Sequence, residues 1–109
     1  MPSATYDLFR AAMLGEKAVA CVYDGHPRVV CPVILGRTNG EEKVLAFQVG
    51  GTSRSGLPPG GEWRCLTLAR VSGARISYEP WREGARHTAP QRCVEDVDVD
   101  VNIHVRKRR

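Results

Sequence analysis

In the last part of the chain Val97, Val99, Val101, Ile103 and Val105 alternate with Asp96, Asp98, Asp100, Asn102 and His104. This strict period of two predicts a long C-terminal strand with one buried and one wet face. At the other end Ser3 is placed to cap a short helix in which Tyr6, Leu8, Phe9, Ala12 and Met13 recur at spacings of three and four, stopping at Gly15. Such a helix would cover one end of a sheet. Between these ends the apolar runs are short and rich in β-branched and aromatic residues. Lys17 to Tyr23 and Arg28 to Leu35 read as strands around an Asp24-Gly25 hairpin turn, with Pro32 demanding an edge or a bulge because it cannot donate to a ladder. Asn39-Gly40 marks a second hairpin into a strand over Lys43 to Val49. Glu62 to Val71 reads as a fourth strand, Ser72-Gly73 as a turn and Ala74 to Tyr78 as a fifth strand, while residues 79–92 are aperiodic and hold two prolines. Short strands joined by glycine turns after one helix predict a mainly β fold, a small and strongly bent barrel.

With 109 residues there is room for one core, so a single domain over residues 1–105 is expected, followed by a basic tail at 106–109. That tail supplies the whole net charge of +4. The remaining charges are unevenly spread, with eight basic and three acidic side chains over residues 43–92 and four acids without Lys or Arg over 93–105. The central segment is therefore the candidate anion-binding surface. No run approaches the ~18 to 20 apolar residues that cross a bilayer, and residues 1–20 lack the pattern of a signal peptide, so a cytoplasmic location without membrane contact is expected. Cys21, Cys31, Cys65 and Cys93 form no C-x-x-C pair and have no histidine at finger spacing. In a reducing compartment they are expected to be small buried hydrophobes. No cofactor is implied.

Candidate chemistry concentrates between Gln48 and Arg70. A loop with the order Gly50-Gly51-Thr52-Ser53-Arg54-Ser55-Gly56 and a Pro-Pro-Gly-Gly turn lead into Trp63-Arg64-Cys65-Leu66-Thr67-Leu68-Ala69-Arg70. Long loops of this kind are more often functional than idle. Glycine backbone and Ser/Thr hydroxyls offer close donors to an anion, and guanidinium groups pair with phosphate in a bidentate fork. Strand periodicity puts Arg64 and Arg70 on one face, about 20 Å apart if the strand is straight. The candidate ligand-binding set is Gln48, Thr52, Ser53, Arg54, Ser55, Arg64 and Arg70. The loop lacks the order G-x-x-x-x-G-K-S/T, so nothing points to nucleotide hydrolysis.

The run Val22-Tyr23-Asp24-Gly25, Arg28-Val29-Val30, Pro32, Leu35-Gly36, then Leu45-Ala46-Phe47 and Arg64-x-Leu66-x-Leu68-x-Arg70-Val71 resembles a WYL domain over about residues 17–72. The resemblance implies an Sm-like β-barrel, a place in bacterial transcription regulation, ligand sensing that in several cases involves nucleic acid or nucleotides, and a ligand-facing role for Arg64 and Arg70. The name-giving Trp-Tyr-Leu positions here read Lys43-Val44-Leu45. Only 16 residues precede Lys17, too few for a winged helix, so a standalone sensor or accessory unit is expected.

These readings favour a noncatalytic module for an anionic ligand, single-stranded nucleic acid or a nucleotide. The alternative is a protein-interaction module using its β edges, as a homodimer or with a separate regulator. A metal-dependent hydrolytic site on Asp98, Asp100 and His104 has suitable residue types but no framing motif.

Overall fold

The computed structural model describes residues 2–52, 56–57, 60–81 and 91–104. Helix α1 (Ala4–Leu14) begins at Ser3, whose Oγ accepts the Tyr6 N–H at 3.1 Å, while the Glu42 carboxylate accepts both the Ser3 N–H and its hydroxyl. Of the expected apolar stripe Tyr6, Phe9, Ala12 and Met13 are fully buried, and Leu8 is half-buried against the core. The helix packs on β1 (Lys17–Tyr23), β2 (His26–Thr38) and β5 (Val71–Pro80).

The strands form one open antiparallel sheet in the order β4-β3-β2-β1-β5, with β3 spanning Glu41–Gly51 and β4 Glu62–Thr67. Both hairpin turns are of the kind their residues dictate. Asp24 and Gly25 have φ of 53° and 79°, and Asn39 and Gly40 have 52° and 80°, positive at both central positions. Strand β2 is the axis of the sheet. Strand β3 occupies one of its edges throughout, and the other edge is shared by β1 near its start and β6 (Asp96–Asp100) near its end. Pro32 is buried in this central strand, and the register slips between Pro32 and Ile34, so the proline is accommodated by a bulge and not by an edge.

Three elements differ from the sequence expectation. The fourth strand ends at Thr67, and Leu68–Arg70 form a 3₁₀ turn, because Leu68 and Val71 both bury their side chains where the chain turns from β4 into β5. Ser72-Gly73 is no turn between strands. It lies within β5, where the pairing with β1 shifts register between Ala20 and Val22 and Gly73 takes a φ of 59°. The long C-terminal strand is only five residues, and Val101–His104 continues as a helical turn, α2. Val99 and Val101 are buried as the alternation predicts, but Val97 is 44% exposed.

The cysteine expectation also fails in half its members. Cys21 and Cys31 are buried and outside any disulfide, but Cys65 on β4 and Cys93 in the segment before β6 form a disulfide with a Cα–Cα separation of 5.6 Å. The 28-residue gap hid the pairing, which depends on how the chain returns over the sheet. No helix among the described residues is long and apolar enough to cross a membrane.

Tyr6 ties α1 to the acidic strand: its hydroxyl donates to Asp98 Oδ2 at 2.7 Å, and the Arg37 guanidinium lies 5.1 Å from its ring centre. Burial, and next the Asp98 carboxylate, raise the Tyr6 pKa well above its ordinary value of 10.0. The folded state then holds a proton that the unfolded chain releases, so this contribution is intact below about pH 10 and declines as pH rises further. Urea midpoints measured from pH 9 upward should fall for the wild type and fall less steeply for Tyr6→Phe; equal slopes would remove Tyr6 as the titrating group.

Candidate anion-binding site

The site is built by register. Gln48 pairs across from Val30 on β2 and Glu62 on β4. Arg28 stands two residues before Val30 and Arg64 two residues after Glu62, so side-chain alternation puts Arg28, Gln48 and Arg64 in one row across three adjacent strands. This row shares the sheet face of Val44, Ala46 and Leu66 and closes one end of the core with polar groups.

Gln48 is fully buried, and its side chain is satisfied on every side. Its Nε2 donates to the carbonyls of Gly50 and Thr52 at 3.0 and 3.1 Å, which fixes the start of the glycine loop. Its Oε1 accepts from Arg64 Nε at 3.1 Å and from Arg28 Nη1 at 3.4 Å. Arg64 also donates through Nη2 to the Gly56 carbonyl and to Glu62, both at 3.0 Å. It thus fastens the far side of the loop as well as presenting charge.

Arg28 is 7% exposed, and its Nε has no hydrogen-bond partner among the described residues. Its guanidinium lies 5.0 Å from the Tyr23 ring centre, while Arg70 lies 5.1 Å from the same ring. Burial first, and the neighbouring Arg64 charge second, push the Arg28 pKa below its usual value. A buried cation facing a second cation is a place where an anion lowers the energy. Arg70 is the exposed member, held by Asp24 with contacts of 2.5 to 3.0 Å, and that bond raises its pKa.

Arg64 and Arg70 therefore do not share the face of one straight strand, because the 3₁₀ turn intervenes. What joins them is lateral: Arg64 reaches Arg28 through Gln48, and Arg28 reaches Arg70 through Tyr23. Thr52 lies beside this network, its N–H on the Pro27 carbonyl and its Oγ1 3.3 Å from His26 Nδ1. Ser53, Arg54 and Ser55 lie outside the described residues, as does the tail at 106–109. Of the adjacent pair Gly50 and Gly51, Gly51 has a structural reason: at its φ of 85° a Cβ would sit 2.1 Å from the Pro27 carbonyl oxygen.

Arg28, Tyr23, Asp24 and His26 are the members that sequence reasoning did not assign to the site. The hairpin signal at Asp24-Gly25 fixes Cys21 opposite Arg28, but the step that brings Gln48 beside Arg28 needs the register slip between Val29 and Val30. No local residue pattern announces that slip. On the acidic strand Asp98 accepts from Tyr6 and Asp100 Oδ1 accepts the Asn102 N–H, and no group of three or more metal-ligating side chains occurs among the described residues.

Fold and site together define a small, mainly β protein built on an open antiparallel sheet, with an arginine-glutamine network closing one end of its core. No family model matches the chain, and neither a curated protein nor a solved structure does so.

Proposed function

We propose that this protein is a noncatalytic, WYL-like regulatory module that binds an anionic ligand, single-stranded nucleic acid or a nucleotide, at the end of the sheet where Arg28, Arg64 and Arg70 gather. The observation that carries this reading is the buried Arg28 guanidinium, whose Nε has no partner among the described residues, set beside Arg64 across Gln48. Asp24 offsets Arg70 and Glu62 offsets Arg64, while Arg28 has no ion pair of its own among the described residues. Arg54, Ser53 and Ser55 follow in sequence between Thr52 and Gly56, whose carbonyls Gln48 and Arg64 hold, and they would complete the donor set. An Sm-like barrel would need the two outer members of the strand order, β4 and β5, to meet, and one 3₁₀ turn connects these two in sequence. A cytoplasmic regulatory role follows from the same reading.

The test is fluorescence anisotropy of a short labelled single-stranded DNA against the full chain over a salt series. Affinity should fall with salt along a log-log slope of about −2 for three phosphate contacts at roughly −0.7 each. Arg64→Ala and Arg70→Ala should each weaken binding by about tenfold and reduce that slope by about 0.7. The assignment fails if both variants bind like the wild type at low salt, or if deletion after Val105 removes all binding.

A second reading is favoured by one observation, that among the described residues β4, β5 and β6 each pair along one edge only. These edges suit a homodimer or a separate regulator protein. Light scattering should then show association as concentration rises, and a monomer throughout, with no partner retained, would exclude it.

A further inference from the structure

The segment that carries Cys93 is anchored independently of its sulfur. The Gln91 side chain brackets Val94, donating to its carbonyl at 2.7 Å and accepting its N–H at 2.8 Å. Thr38 on β2 donates to the Cys93 carbonyl at 2.8 Å and accepts the Glu95 N–H at 3.0 Å. Val94 is buried against Gly36. Strand β4, in contrast, is an outer strand that among the described residues pairs through its backbone with β3 alone. The disulfide from Cys65 therefore fastens the loose edge of β4 to a segment fixed on β2. Cys65 is exposed, and the residue before it is Arg64, which holds Gln48 and the Gly56 carbonyl.

We infer that the Cys65–Cys93 disulfide is a redox control on the anion-binding end: oxidised, it holds β4 so that Arg64 keeps Gln48 and the glycine loop in place, and reduced, it lets that grip loosen. The inference rests on the reading above for its binding consequence, but the loosening of β4 is a separate physical event. The reductant is a thiol. Its thiolate attacks the sulfur of Cys65, the more exposed of the two residues, the Cys65–Cys93 bond breaks, and the Cys93 sulfur leaves with the electron pair and takes a proton from water. A second thiolate attacks the mixed disulfide, which frees Cys65 as a thiol and releases the reductant as its disulfide. Two electrons pass to the protein, and the reverse reaction with a small disulfide restores the bond. Cys21 and Cys31 stand apart from this chemistry because both are buried, and burial raises the Cys21 pKa and so suppresses its thiolate.

The experiment compares the oxidised full chain with the same protein in excess dithiothreitol, the redox state being read by thiol titration, and uses the labelled single-stranded DNA as probe. Reduction should weaken binding by about three- to tenfold, and Cys93→Ser should bind like the reduced wild type with or without reductant. In parallel, amide exchange at Gln48, Arg64 and Cys65 should quicken on reduction at least tenfold beyond the change at Val19 and Val30, whose exchange follows the global loss of stability. Cys65→Ser should reproduce the exchange result if Cys93→Ser does not fold. Unchanged exchange across β4 in the reduced protein overturns the inference, as does a reductant effect that persists in either variant. If the DNA binds in neither state, the anion-binding reading is lost, and the exchange data alone then decide whether the disulfide governs β4.

Discussion

Gly36→Ala is expected to lower stability by roughly 2 to 4 kcal/mol, because nothing next to this residue can yield cheaply. An added Cβ would lie 2.0 Å from the Asp96 carbonyl oxygen and 2.7 Å from Val94 Cγ1. The first neighbour is backbone of β6, which pairs with β2 through Ile34, Leu35, Gly36 and Arg37, and the second is a fully buried core side chain. Relief of the overlap requires β6 to move away by about an ångström, which breaks ladder bonds and uncovers Val99 together. For a domain of this size the melting temperature should fall by on the order of 10 to 20 °C. Gly40→Ala is the control. Its φ of 80° disfavours a side chain, but nothing lies within 4 Å of the added Cβ, so a cost of about 1 kcal/mol is expected. Equal urea midpoints for the two variants would show that β6 does not press on Gly36 in solution.

Reduction of the Cys65–Cys93 bond is expected to cost roughly 3 to 4 kcal/mol. The cysteines are 28 positions apart, and closing a loop of that length removes conformational entropy from the unfolded chain by about this amount in the loop-closure model. The effect is therefore read from unfolding midpoints with and without reductant, with Cys65→Ala as the chemical equivalent. Thiol titration fixes the starting state. The native oxidised protein should show no readily reactive thiol, two more should react on unfolding as Cys21 and Cys31 become accessible, and all four should react after reduction. A midpoint that reductant does not move by the equivalent of about 1 kcal/mol would show that the cross-link carries little of the stability.

The two results concern the same part of the molecule from opposite sides. Gly36 lets β6 and Val94 approach β2, and the segment between Gln91 and Asp96, once seated there, presents Cys93 to β4. The candidate site depends on this indirectly, since β4 carries Arg64. Gln48 is the hub on the other side: leaving Arg28 and Arg64 without its oxygen would strand two buried or half-buried guanidinium donors, a costly arrangement.

Parts of the site were legible in the chain before any coordinates. Gln48, Thr52, Arg64 and Arg70 were singled out by the density of arginine, glycine and hydroxyl residues between Gln48 and Arg70, and the structure links Gln48 directly to Thr52 and Arg64. Their relation was not legible. Alternation along an assumed straight strand joined Arg64 to Arg70, whereas the contacts run sideways through Gln48, Arg28 and Tyr23.

By itself the sequence determined what short-range chemistry controls. Ser3 starts the helix because its hydroxyl is within reach of the Tyr6 N–H, and Asp24-Gly25 and Asn39-Gly40 make hairpins because those residues tolerate positive φ. The apolar stripe of α1 and the existence of the strands follow from periodicity in the same way. The tertiary structure alone decided where β4 gives way to a 3₁₀ turn, where β6 stops, which cysteines meet and which arginine is buried. Each of these depends on register slips and on burial shared between residues far apart in the chain, and such terms outweigh the small local preference for continuing a strand.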